Sequence, residues 1–287
     1  MFKNNNKFNL KAGLLVVLTL LLSGCSASFT YNNIGWLSGF WIDDYVDLNK
    51  QQEQTVKNLI KETRDWHRKT QLPLYKADLI KLQQLLAGSP SKAQLISHFT
   101  ISKGHWQTLV NKIANPVIEI ASSLDAEQRQ QFIAAISETM REEQQEYEQQ
   151  SEQKRKAERL EEQIERYEEW LGKLSQQQVT LITVANNNHI SSFKLWQQYK
   201  QTRLDALTVA FSDQAITAGE FAQSMARIIT QRQAFMSAEL IHIDQQNLAL
   251  YANLLVELRG SLTAKQINHA NEKFAQMIEQ IDDLLTD

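Results

Sequence analysis

A short phrase recurs along the chain: an aliphatic residue, a small polar residue, two variable positions, and then Gln or Glu. It reads LNKQQ at Leu48, LDAEQ at Leu124, LSQQQ at Leu174, ITAGE at Ile216 and LTAKQ at Leu262. In such a phrase the small residue accepts a hydrogen bond from the backbone N–H three residues later, and the Gln or Glu side chain bonds back to the small residue's own N–H. This arrangement is a capping box. The phrase therefore predicts where helices begin.

The remaining composition supports a helical chain. A sixth pair with the same spacing, Ser91 and Gln94, lacks only the leading aliphatic residue. The 287 residues include nine Gly and three Pro, too few for a turn-rich β-protein. Four glycines fall where helices should stop and where a left-handed cap would use them: Gly88, Gly104, Gly172 and Gly260. No segment alternates with a period of two, so the sequence predicts an all-α fold, an elongated multi-helix bundle.

The caps, the glycines and the apolar periodicity together predict nine helices. They cover residues 34–47, 49–70, 73–87, 91–103, 105–123, 125–171, 175–211, 217–258 and 263–285. Pro73 is expected to begin a helix, and Pro116 to kink or divide one. Residues 34–287 are predicted to form a single helical domain, in which an aromatic helix at 34–47 precedes a helical body at 48–287.

Residues 125–171 form the most highly charged stretch. Between Arg141 and Glu169 there are 17 charged residues, 11 of them acidic, and apolar residues nearly vanish after Tyr147. The middle of this segment cannot be buried. It is either one helix of 47 residues, about 70 Å long, or a hairpin broken near Gln149 to Gln153. We predict one long, highly charged helix.

The N-terminus is typical of a secreted chain. Three lysines precede an apolar run at 12–22, and the run ends in LSGC, whose last residue is Cys25, the one cysteine of the chain. This ending resembles the lipobox of bacterial lipoproteins, which implies that 1–24 is a signal peptide and that Cys25 carries lipid. A lipidated Cys25 leaves no thiol for a disulfide, a metal site or a nucleophile.

The same resemblance indicates where the protein resides. In lipoproteins of Gram-negative bacteria, Asp after the lipidated cysteine is the usual signal for retention in the inner membrane, whereas this chain has Ser26. We therefore expect a lipid anchor in the outer membrane, with the body on its periplasmic face. Residues 25–33 are predicted to be a short lipidated tether, whose eight residues after Cys25 reach at most about 28 Å.

Charge excludes one class of partner. The formal charge is −3, and loss of the three lysines in the signal peptide leaves 27 basic against 33 acidic residues, or −6. Nucleic acid is therefore not an expected partner.

The aromatic helix at 34–47 allows two interpretations. Its apolar stripe includes Ile34, Leu37, Trp41 and Tyr45 at helical spacing. These side chains either lie at the lipid interface beside the anchor or dock onto the helical body as ordinary core. We expect the second, because aromatic stripes at helical spacing are usually core.

Familiar catalytic and metal-binding motifs are missing from the sequence. It contains no HExxH, GxSxG, Walker A or GxGxxG motif, and its six histidines are scattered singly. We predict no catalytic residue, no metal ligand and no cofactor. His189 is expected to be a core histidine.

One histidine remains a candidate for binding. His67 lies at the edge of an apolar stripe that includes Trp66, with Arg64 and Arg68 nearby. This patch either receives a carboxylate or phosphate or pairs with acidic groups of another helix.

Longer motifs resemble a known family. The segments YNNIGWLSGFWIDDYVDLNKQQ, DWHRKTQLPLYKADL, NPVIEIASSLDAEQ and ERYEEWLGKLSQQQ, spanning Tyr31 to Gln178, are similar to bacterial lipoproteins of domain-of-unknown-function family 6279. Gln71 stands where that family is expected to have Glu. The resemblance supports localisation and fold but brings no established activity. A looser resemblance, through Leu-Thr-x-x-Gln, is to periplasmic helical stress proteins, some of which are chaperones.

We therefore expect a non-enzymatic binding or scaffold protein, with chaperone-like action as one form of that binding, whose protein partner in the cell envelope the sequence does not identify. The alternative is an envelope hydrolase or transferase that uses His67 with carboxylates assembled by the fold.

Overall fold

The computed structural model describes residues 24–212 and 215–286, in which the chain forms twelve α-helices, one 3₁₀ helix and no strand. The first six helices are α1 (Gly24–Asn32), α2 (Ile34–Asp43), α3 (Lys50–Thr70), α4 (Leu72–Ala87), α5 (Lys92–Ser123) and α6 (Ala126–Gln149). The next six are α7 (Glu152–Leu171), α8 (Gln176–Asn188), α9 (Phe193–Ser212), α10 (Ala218–Thr230), α11 (Ala238–Ser261) and α12 (Ala264–Thr286). The 3₁₀ helix, Arg232–Phe235, lies between α10 and α11. The predicted all-α bundle is confirmed.

All six predicted capping boxes form. In each, the small residue accepts the backbone N–H three residues later, and the Gln or Glu side chain accepts the small residue's N–H. Two further helices begin at serines that the phrase did not include: Ser151 caps α7 and Ser237 caps α11. The phrase thus marks helix starts, as predicted, although it does not mark all of them.

The prediction of a single helix over 125–171 is wrong. The chain breaks at Gln150 and Ser151, where the hairpin alternative placed the break. The Ser151 hydroxyl accepts the N–H of Lys154, and Arg155 donates to the carbonyls of Tyr147 and Gln150. These bonds satisfy backbone groups that a continuous helix would have paired internally. α6 packs against α9, whereas α7 packs against α8 and α12.

Three other predicted boundaries also differ. The expected helix at 175–211 divides at residues 189–192, and the one at 217–258 divides at 231–237. Conversely, 91–123 is one helix, because α5 continues through both Gly104 and Pro116.

Only one of the four candidate capping glycines has a left-handed backbone. Gly172 ends α7 with φ +70°, a conformation that L side chains rarely adopt. Gly88 follows α4 with a negative φ, while Gly104 and Gly260 lie inside helices.

The segment predicted as a tether is also helical. α1 packs against α2 and α12, so the beginning of the described chain meets its last helix. Residues 1–23, most of the predicted signal peptide, lie outside the described residues, as does the side chain of Cys25. Every helix from α1 to α12 packs against other helices within residues 24–286.

Two hydrophobic clusters form the core. The first joins α5, α9, α10 and the 3₁₀ helix, and the second joins α7, α8 and α11. α11 contributes to both, with Leu240 in the first and Leu254 and Leu258 in the second. At about 36 Å, this helix connects the two ends of the body. Among the described helices, none combines the length and apolar character needed to cross a membrane.

Four of the capping-box glutamines pair with one another in the interior. Gln52 and Gln128 exchange amide hydrogen bonds of 3.0 and 2.7 Å, and Gln178 and Gln266 exchange bonds of 3.0 and 2.9 Å. All four side chains are buried. Each pair therefore joins the starts of two helices that are far apart in sequence, α3 with α6 and α8 with α12.

The two pairs follow the same rule. Each amide N–H₂ also donates to a backbone carbonyl two residues before the partner's capping residue; the acceptors are Ser123, Asp47, Ser261 and Lys173. Each amide oxygen also accepts the N–H of its own capping residue. Both donors and both lone pairs of every glutamine are thus used, so these amides are buried without an unsatisfied group.

Removing one glutamine tests whether the pairing carries stability. Gln178→Ala leaves the Ser261 carbonyl and the buried Gln266 amide without this partner, and we expect a loss of about 2–4 kcal/mol in unfolding free energy, since each such group costs about 1–3 kcal/mol. Gln94→Ala is the matched control: it removes an exposed capping box that has no paired glutamine, with an expected loss of about 1 kcal/mol or less. Urea unfolding measures both. Equal losses would contradict the account.

Candidate functional site

A cavity, referred to below as the large cavity, lies between α2, α3, α5, α6, α9 and α10. Tyr31 of α1 also lines it. Its volume is about 950 Å³. Aliphatic and aromatic side chains form most of its surface: Val56, Leu59, Ile60, Ile113, Val117, Ile120, Phe132, Ile136, Met140, Leu204, Leu207, Phe211, Met225 and Ile228.

The paired glutamines Gln52 and Gln128 join two helices that form walls of the large cavity. They hold the starts of α3 and α6 together, and the aliphatic residues of the two capping phrases, Leu48 and Leu124, line the cavity beside them. α6 then continues along α9, and α3 along α5. Apolar side chains of all four helices line the cavity.

The cavity is too large to be a packing defect. Protein interiors pack densely and contain few voids larger than a water molecule, while ligand pockets typically measure about 300–1,000 Å³. Several lining residues, such as Val117 and Ile136, are only partly buried although they belong to the bundle's inner faces. The volume and the lining are those of an apolar pocket in the size range of ligand sites.

Three charged side chains of the cavity wall belong to α6 and α9. Glu143 of α6 forms an ion pair with Lys200 of α9 and accepts a hydrogen bond of 3.1 Å from Gln197. Arg203, one turn after Lys200, donates to the carbonyl of Ile228 at 2.9 Å. The cavity therefore has an apolar body and a polar edge.

The predicted patch around His67 contacts the chain's own N-terminal helix. Tyr31 of α1 bonds through its hydroxyl to His67 Nδ1 at 3.0 Å, and Asn32 accepts hydrogen bonds from both Arg64 and Arg68. Trp66, the fourth residue of the patch, lies under the Lys112 ammonium. Of the patch, Arg64 and His67 also line the large cavity.

His67 is held between two tyrosines. Tyr31 donates to the Arg64 carbonyl at 3.2 Å, so His67 Nδ1–H donates to Tyr31, and His67 Nε2 accepts from Tyr75 at 3.2 Å. Burial lowers the pKa of His67, which favours this neutral form. One ring nitrogen of His67 therefore joins α3 to α1, and the other joins α3 to α4.

The fold brings a carboxylate to a different histidine. Asp78 of α4 lies 2.6 Å from Nε2 of His105 on α5, and the Tyr75 ring packs against His105 with centroids 4.8 Å apart. Sequence reasoning missed this pair, because 27 residues separate its members and neither belongs to a motif. Within the described ranges, no three His, Cys, Asp or Glu side chains form a group that could hold a metal ion.

One face of α2 docks onto the helical body. Ile34, Trp41 and Ile42 line the large cavity, as expected for docking onto the body. Trp36 is 63% exposed, so the face on which it lies is not core. α2 therefore forms one wall of the cavity and presents aromatic surface outward.

A second, small cavity of about 420 Å³ lies between α4, α7, α8, α11 and α12. Gln163 Oε1 and His189 Nδ1 are buried in its lining, and neither has a hydrogen-bond partner among the described residues. His189, predicted as a core histidine, is only partly buried and is the capping residue that follows α8.

Comparison with known proteins agrees with the resemblance seen in the sequence. Residues 44–240 match the profile of a family described as "Family of unknown function (DUF6279)". The chain belongs to this family. No curated protein and no solved structure matches the chain. The matched residues 44–240 include most of the lining of the large cavity, from Tyr45 to Ile229. Much of the lining of the small cavity lies beyond residue 240.

Proposed function

We propose that this DUF6279 protein is a lipid-anchored binding protein of the cell envelope that holds an elongated apolar ligand in the large cavity without chemical change. The volume and apolar lining of that cavity are the observation that supports the proposal. A ligand filling it would supply the packing contacts that Val117, Ile136 and their neighbours otherwise lack.

The positions of the histidines favour binding over catalysis. His67, the residue on which the enzyme alternative rests, uses both ring nitrogens to hold Tyr31 and Tyr75. The Asp78–His105 pair lies outside the lining of both cavities. A general base needs a free nitrogen within reach of its substrate, and neither histidine offers one toward an apolar ligand.

We place the protein at the periplasmic face of the outer membrane, through lipid on Cys25. The LSGC ending and the Ser26 that follows support this placement. α1 begins at Gly24 and α2 lines the large cavity, so an anchor at Cys25 would hold the cavity next to the bilayer. A cavity in that position can take up acyl chains from the membrane or apolar segments of envelope proteins.

Cys25→Ala tests the anchor. We expect the variant to lose labelled fatty acid and to move from the detergent-rich to the aqueous phase on phase separation, because one residue carries the whole attachment. Cell fractionation with metabolic labelling measures both changes. Unchanged partitioning together with unchanged labelling would refute lipidation.

Filling the large cavity tests the binding site. The chain from Gly24 onward contains every described helix and is produced with Cys25→Ser. We expect it to bind the neutral dye N-phenyl-1-naphthylamine with a rise in fluorescence, and we expect Val117→Trp to weaken binding by about tenfold or more by occupying the space. If protein clients use the same cavity, an unfolded model protein will displace the dye.

Ala270→Trp provides the matched control, because it places the same bulk at the small cavity. Thermal unfolding confirms that each variant is folded. Dye affinity unchanged by Val117→Trp in a folded protein would exclude the large cavity as the site, and loss of binding only in Ala270→Trp would assign it to the small cavity.

A further inference from the structure

Arg203 lines the large cavity and, within the described part of the chain, bonds only to uncharged acceptors. Its guanidinium donates to the Tyr199 hydroxyl at 3.1 Å and to the Ile228 carbonyl at 2.9 Å, and both acceptors are uncharged. Its Nε is buried and has no hydrogen-bond partner among the described residues. A buried N–H of a charged group is costly to leave unpaired.

The other cations of the cavity wall have acidic partners. Lys200 is paired with Glu143, and Arg64 with Asp65 at 2.9 Å. Within residues 24–212 and 215–286, no acidic side chain forms an ion pair with Arg203. The polar edge formed by Glu143, Lys200 and Arg203 therefore carries one net positive charge.

This charge lies next to apolar wall. Leu204 and Leu207 continue α9 from Arg203, and Ile228, whose carbonyl Arg203 holds, belongs to the facing side of α10; all three line the cavity. An apolar space with one cation at its edge is complementary to a molecule with an apolar chain and one anionic end.

We infer that the large cavity binds an acyl amphiphile with an anionic headgroup, a carboxylate or a phosphate, and that the Arg203 guanidinium, which lacks an acidic partner in the described ranges, binds the headgroup. The inference rests on the proposed function and adds the ligand's chemical class. Lys200 is close enough along α9 to contribute when its ion pair with Glu143 rearranges, and the chain lies against Leu207, Met225 and Ile136. A carboxylate or phosphate would supply the anionic partner that the Arg203 guanidinium lacks.

Competition against the neutral dye tests this inference on the chain from Gly24 onward with Cys25→Ser. Three competitors share a twelve-carbon chain: dodecanoate, dodecyl phosphate and uncharged methyl dodecanoate. We expect at least one anion to displace the dye more strongly than the ester. Arg203→Gln should weaken displacement by the anions about tenfold, as expected for a lost charge-assisted hydrogen bond, and leave the dye and the ester unaffected. The stronger anion identifies the headgroup.

Two further variants distinguish headgroup binding from a structural effect. Arg203→Lys keeps the charge and should retain the preference for anions. Arg232→Gln removes a nearby guanidinium that stacks on Trp196 and does not line the cavity, so it should change nothing. Equal displacement by anions and ester, or equal loss for all ligands in Arg203→Gln, would overturn the inference while leaving the apolar site intact. Failure of the wild-type protein to bind the dye would refute the proposed function itself.

Discussion

The buried glutamine pairs are the interaction on which the arrangement of helices depends. A helix start normally satisfies its orphan N–H groups locally, with a side chain of its own capping box. Here the same amide that completes a local cap also bonds to a second cap and to the backbone that precedes it, as Gln52 does with Gln128 and Ser123. Local structure and tertiary packing therefore depend on one side chain.

This double use explains the internal repetition of the molecule. Gln178 and Gln266 reproduce the arrangement with the same acceptor positions, at the other hydrophobic cluster. In each half, leucines of the paired phrases lie beside the glutamines: Leu48 and Leu124 line the large cavity, and Leu262 lines the small one. The hydrogen-bonded amides fix helix starts without filling the space between the helices, so an apolar cavity can persist next to a rigid polar pair.

The elements of the fold that depend on local chemistry could be predicted from the sequence. The six capping boxes and the all-α class follow from hydrogen bonds within three residues, and all are confirmed. Helix ends without a strong local signal differ from the prediction. Ser151 and Arg155 stop a helix that its charge pattern would continue, and α5 passes through Gly104 and Pro116 because tertiary contacts outweigh their weak helix propensity.

The candidate site was predictable only in part, because it depends on contacts between distant segments. The patch of Arg64, His67 and Arg68 was recognised from its composition, but its partners, Tyr31 and Asn32, come from a segment expected to be an extended tether. The large cavity has no sequence motif. Its lining consists of ordinary amphipathic stripes, and only the spacing of the helices turns Val117 and Ile136 from core residues into a cavity wall.

The central claim is that an apolar chain occupies the large cavity, and the most direct measurement of it is isoleucine-methyl NMR with stearic acid carrying a nitroxide on its chain. The account predicts strong paramagnetic broadening of the methyl signals of Ile113, Ile136 and Ile228, which line the large cavity, and little broadening of Ile182 and Ile267 in the other half. Broadening confined to Ile267 and its neighbours, or no site-specific broadening at saturating ligand, would contradict it.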